Sequence, residues 1–156
     1  MKYLKKFKSS IEKFIDISKI DWDYHLLHNL DNHSKYKKGK SISYMVNVFE
    51  NELNNFITNN TITLYRKLAL KNENSLKYPY GIFWSFKEDF AQIIDDENYE
   101  GERGDKPFIL KGIFDIKDID WTSTFNIYLM NDFMECEIRT KQNSKPLKID
   151  IYLSKW

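Results

Sequence analysis

The stretch Asn59-Asn60-Thr61-Ile62-Thr63-Leu64-Tyr65-Arg66-Lys67-Leu68 decides the fold class. From Thr61 onward apolar residues alternate, so Ile62, Leu64, Arg66 and Leu68 fall on one strand face. Thr61, Thr63, Tyr65 and Lys67 take the other. Upstream of Asn59 the period is helical. Leu4, Phe7, Ile11, Phe14 and Ile15 form an amphipathic stripe, and Ile42, Met45, Val46, Phe49, Leu53 and Phe56 form a second over 41–57. A short helix is expected between them, around Trp22 to Leu30, with a polar, Lys-rich connection at 34–40.

Downstream the pattern stays mainly β. Residues 71–80 read as a loop, and Gly81-Ile82-Phe83-Trp84 as a short strand feeding Ser85. Phe86 to Asp95 carries a helical pattern, and Asp96 to Lys106 is acidic and loop-like. Strands are expected at 108–116, 121–130, 134–139 and 147–153. Helices first and strands later is an α+β order. The chain is therefore expected to be a single domain over 1–156, helical over 1–60 and mainly β over 61–156.

Composition narrows the function classes. The 156 residues carry 24 Lys+Arg against 23 Asp+Glu, a near balance that argues against broad phosphate binding and makes nucleic acid an unlikely partner class. Hydrophobic residues make up 42% and aromatics 16%, too apolar for a disordered chain. The charge is uneven: residues 1–40 hold ten Lys against five acids, whereas 86–120 hold eleven acids against five bases. Two solvated faces, or a basic helical half that docks an acidic partner or nucleic acid, both fit that asymmetry. Cys136 is the one cysteine, so no internal disulfide can form, as suits a reducing compartment. Neither a signal-peptide core nor a membrane span is visible, and a cytoplasmic location is expected.

Three positions could carry chemistry. Arg66 is one of three arginines and sits on the strand face that also holds Ile62 and Leu64. A guanidinium keeps its charge, so it needs an anion there: a buried carboxylate such as Glu50, Glu52 or Glu135, or a phosphate or ribose. Ser85-Phe86-Lys87-Glu88 matches a capping box, and a helix start can also hold an anion or a carboxylate. Glu135-Cys136-Glu137 puts two carboxylates on one side of a strand, about 7 Å apart. That pair could blunt an exposed edge or flank a reacting sugar. His25, His28 and His33 lack a matched acid or cysteine, so no metal site is expected.

In order, Leu64-Tyr65-Arg66, the block Gly81-Ile82-Phe83-Trp84-Ser85-Phe86-Lys87-Glu88-Asp89-Phe90-Ala91, and Glu135-Cys136-Glu137-Ile138 resemble the R-S-E class of ADP-ribosyltransferases. The middle block looks most like small phage- and bacteria-encoded members. The resemblance covers roughly 61–153 and implies a split β-sandwich behind a helical preface. It implies NAD as co-substrate and a protein side chain, arginine in the Glu-x-Glu members, as acceptor. Arg66, with Tyr65 beside it, would hold the nicotinamide-side ribose or phosphate, and Ser85 would steady Glu137. Glu137 would bond the ribose 2′-hydroxyl, and Glu135 would deprotonate or orient the acceptor. Trp84, Phe86, Phe83 or Tyr80 would pack on nicotinamide, with the core the alternative place for most of them, and the stretch 131–134 would meet the protein substrate. The alternative is a small, non-catalytic inhibitor of the kind a phage encodes, which keeps the fold and occludes its partner.

Overall fold

The computed structural model describes residues 11–20, 42–93, 104–131 and 136–155. The expected helix at Trp22 to Leu30, the three histidines, Glu135 and most of the acidic loop lie outside these residues. Helix α1 spans Ile42–Leu53, followed by a 3-10 turn at Asn54–Phe56. Strand β1 is Ile57–Thr58 and β2 is Thr61–Leu70. The two are joined through Asn59 and Asn60, both with positive φ (51° and 60°). A two-residue hairpin that matches strand twist needs that backbone, and asparagine tolerates it better than most residues. Strand β3 is Phe83–Ser85, helix α2 is Glu88–Ile93, and strand β4 is Lys106–Asp115. Helix α3 (Trp121–Asn131), β5 (Glu137–Arg139) and β6 (Lys148–Leu153) complete the described chain.

The strands form one six-stranded antiparallel sheet of order β5-β3-β2-β4-β6, with β1 beside β2. With its helices this is an α+β architecture. Ten residue pairs join β2 to β4, from Thr61↔Asp115 to Leu70↔Lys106. Ile62, Leu64, Leu110 and Phe114 face α1 and α3 and are almost completely buried. Phe49 of α1 ties the two helices together, its ring 5.2 Å from both Phe125 and Tyr128 and 6.1 Å from Trp121.

Two expectations need correction. Residues 121–130, expected as a strand, form α3. Asp120 caps it by accepting from Ser123 N at 3.0 Å, and Trp121, Thr124, Phe125 and Tyr128 then line a buried helical stripe. Aromatic and β-branched content favours a strand locally, but the cap and the burial of that stripe prevail. The start of α3 also closes the β5 edge: Thr124 Oγ1 accepts from Arg139 N at 3.1 Å, and Asp120 N donates to Arg139 O at 2.8 Å.

The first amphipathic stripe does not carry an α-helix through Ile15. Its described part is a 3-10 turn at Glu12–Phe14, after which Ile15 is extended (ψ 118°), and a second turn follows at Ile17–Lys19. Long-range contacts hold this segment. Glu50, 3% exposed, accepts from Ile11 N at 2.8 Å and Glu12 N at 3.1 Å, and Asp16 N donates to Thr122 at 2.9 Å. Among the described residues no helix is long and apolar enough to cross a membrane.

Removing the Glu50 carboxylate strands two backbone donors. Glu50→Ala is therefore expected to lower stability by about 3 kcal/mol, read as a drop in the urea midpoint. An unchanged midpoint would show that residues 11–20 are held without it.

Candidate functional site

Antiparallel partners point their side chains to the same side of a sheet, so register decides which motif residues can meet. Tyr65 pairs with Ser85, and Ser85 with Glu137. Tyr65 also pairs with Lys111, and Lys111 with Asp150. One polar row, Glu137–Ser85–Tyr65–Lys111–Asp150, thus crosses five strands. Arg66, one residue on, faces the opposite side together with Trp84 and Ile138. The structure brings Ser85 and Glu137 together and leaves Arg66 across the sheet from them.

Glu137 opens on a cleft of about 460 Å³ between α3 and β5, bordered by Asn126, Met130, Asn131 and Arg139. Its carboxylate lies 3.6 Å from Arg139 Nε. The guanidinium of Arg139 in turn sits over the Phe83 ring, 4.7 Å from its centroid. Cys136 enters the strand in a left-handed backbone conformation (φ 52°), and its carbonyl accepts from Phe86 N at 3.1 Å. Burial pushes its thiol up, with Lys87 opposing. A protonated thiol there is no nucleophile.

Ser85 does not form the expected capping box. Its hydroxyl accepts from Lys87 N at 3.1 Å and donates to Lys87 O at 3.0 Å, a local turn that delays the helix until Glu88. Glu88 turns elsewhere: Oε1 accepts from Tyr152 OH at 2.7 Å and from Gln92 Nε2 at 3.1 Å. Ser85 is buried directly across the ladder from Glu137, yet its oxygen serves the Lys87 backbone.

Arg66 is half-buried. Nη1 donates to Phe83 O at 2.7 Å, while the buried Nε has no hydrogen-bond partner. No described carboxylate pairs with it. Glu50 is engaged by residues 11 and 12, and Glu52 accepts from Tyr128 OH at 3.5 Å. Burial accordingly pulls the Arg66 pKa below the usual arginine value. Gly81 (φ 91°) lets the guanidinium pass, since a Cβ there would come within 2.8 Å of Cζ.

The aromatic candidates divide. Trp84 and Phe86 belong to the core: Trp84 packs on Phe114 (4.9 Å) and donates to Gly81 O, and Phe86 packs on Phe56 (4.7 Å). Of the two roles open to them, nicotinamide or the core, burial on the helix side of the sheet gives both the core. Phe83 is 49% exposed and Tyr80 is partly buried beside Tyr78. Of the 131–134 stretch only Asn131 lies within the described residues, on the rim of the Glu137 cleft. Among the described residues no group of three His, Cys, Asp or Glu could hold a metal ion.

Sequence reasoning missed the Glu88–Tyr152–Tyr65 cluster on the polar face. The signal was present in β6, where Asp150 and Tyr152 alternate with Ile149 and Ile151. Burial and then the Glu88 bond push the Tyr152 phenol well above its ordinary 10.0, and burial and Glu88 raise Tyr65 as well.

Two outcomes follow from these contacts. Gly81→Ala should cost more than about 1 kcal/mol. Part of that loss should vanish in an Arg66→Ala background, where the clash is gone; strictly additive urea midpoints would refute the contact. For Tyr152, the unfolded chain loses its phenolic proton first as pH rises through about 10, so the stabilisation is intact below that pH and lost above it. Tyr152→Phe should flatten the fall in thermal stability between about pH 9 and about pH 11. A parallel fall in wild type and variant would place the titration elsewhere.

None of the protein-family models, curated proteins or solved structures compared with this chain matches it.

Proposed function

We propose that this chain is an NAD-dependent mono-ADP-ribosyltransferase in which the one described six-stranded sheet stands where the resemblance implies a split β-sandwich, modifying a protein side chain, arginine being the acceptor that Glu-x-Glu suggests. The observation that supports it most is the adjacency of the three motif strands: β2, β3 and β5, bearing Arg66, Ser85 and Glu137, lie side by side. Glu137, at the end of that series, lines a cleft. Arg66 adds a second support, as a half-buried cation with no described carboxylate to neutralise it.

In this role Glu137 would accept a hydrogen bond from the ribose 2′-hydroxyl. That bond strengthens as the bond from C1′ to nicotinamide breaks, its electron pair leaving with the ring nitrogen while positive charge develops on the sugar. The acceptor nitrogen then attacks C1′ and loses its proton, a task assigned to Glu135. Arg139, 3.6 Å from Glu137, would help orient that carboxylate. Arg66, on the far side of β2, would reach NAD only past the short β3 strand.

Two observations favour a second reading, a non-catalytic inhibitor or binding protein. The Ser85 hydroxyl is committed to Lys87, and Arg66 faces away from Glu137. Label transfer separates the two. Wild type incubated with labelled NAD and bacterial lysate should mark a protein band, and Glu137→Ala should reduce the mark by about a hundredfold or more. No label with wild type, in a lysate that contains its binding partner, would leave the inhibitor reading standing.

A further inference from the structure

The two ends of the sheet are finished differently. At β5 the backbone of Arg139 is taken up by Asp120 and Thr124. At the other end β6 pairs with β4 and closes the strand order. Ser154 N donates to Pro107 O at 2.8 Å, and narrow and wide pairs alternate along an antiparallel ladder. Lys148, Asp150 and Tyr152 therefore bond inward to β4. Ile149, Ile151 and Leu153 direct their N–H and C=O groups outward, and among the described residues no partner meets them. Leu153 is 56% exposed and Leu147, just before the strand, 64%.

We propose that this edge is completed by β6 of a second copy of the chain, joined antiparallel across a two-fold axis at Ile151. Three physical conditions select that register. The axis must fall on a residue with outward backbone groups, which leaves Ile149, Ile151 and Leu153. Ile151 gives the longest overlap: Ile151 bonds its own copy while Ile149 and Leu153 bond each other twice, so all six outward groups are satisfied. It also places charges safely, with Lys148 opposite Ser154 and Asp150 opposite Tyr152. An axis on Asp150 would oppose two like charges. On the helix side of the sheet, Ile149, Ile151 and Leu153 of the two copies then make one continuous apolar row, covering Leu153. Edge strands that stay monomeric are often blunted by a bulge or a proline; β6 holds no proline, and its bulge, where Leu147 N donates to Ile113 O beside the Lys148–Ile113 pair, lies before the outward-facing Ile149, Ile151 and Leu153.

Sedimentation equilibrium of the full chain, at up to about 100 µM, tests this. The expected result is a species of twice the 18.8 kDa chain mass that Ile151→Pro converts to monomer. The Ile151 N–H is not used by β4, so the substitution spares the sheet's own ladder. A monomeric wild type overturns the proposal, as does a dimer that persists in a folded Ile151→Pro. Should that variant unfold by circular dichroism, hydrogen exchange on wild type decides. Amides of Ile149, Ile151 and Leu153 should gain about tenfold protection on going from dilute to concentrated solution, and unchanged protection refutes the pairing.

Discussion

The ten-pair ladder between β2 and β4 is the constraint on which the rest of the structure depends. Side chains alternate along it with a period of two, so a one-residue slip would put Ile62 and Leu64 on the opposite face from Leu110 and Phe114, sending one of the two sets to the polar face. Burial of those four residues beneath α1 and α3 forbids the slip. The same parity then places everything else on β2. Tyr65 joins the polar row with Ser85 and Glu137, and Arg66 goes to the helix side. The separation of Arg66 from the other two motif residues is thus a consequence of how the core is packed.

Three charged side chains near or inside the core are handled in three ways, and the differences bear on function. Glu50 is satisfied by backbone donors of a distant segment and has a structural role. Glu137 lies 3.6 Å from Arg139 at the side of a cleft. Arg66 has one carbonyl and no described carboxylate, so its desolvation is the least compensated of the three.

Much of the architecture was legible in the residues. The switch from helical to alternating period at Asn59-Asn60 marked β2 to within two residues of its end, and the same alternation located β4 and β6. Helix α3 was misread because Trp121, Thr122, Thr124, Phe125 and Ile127 prefer strands locally, while the cap at Asp120 and the spacing of Trp121, Thr124, Phe125 and Tyr128 point to a helix. The site was less legible for a different reason. Ser85-Phe86-Lys87-Glu88 spells a capping box, but Glu88 finds Tyr152, sixty-four residues away. Whether Arg66 meets a carboxylate likewise depends on strand register and on chain segments far away in sequence. Neither is written in any local pattern.

Calorimetric titration of NAD into the full chain tests the central claim most directly. Saturable binding with a Kd of about 1 mM or tighter, weakened in both Arg66→Ala and Glu137→Ala, is the predicted result. It would show that one ligand spans the two faces that β2 separates. Absence of binding, or binding indifferent to both substitutions, would contradict it and leave the adjacency of β2, β3 and β5 without NAD chemistry to explain it.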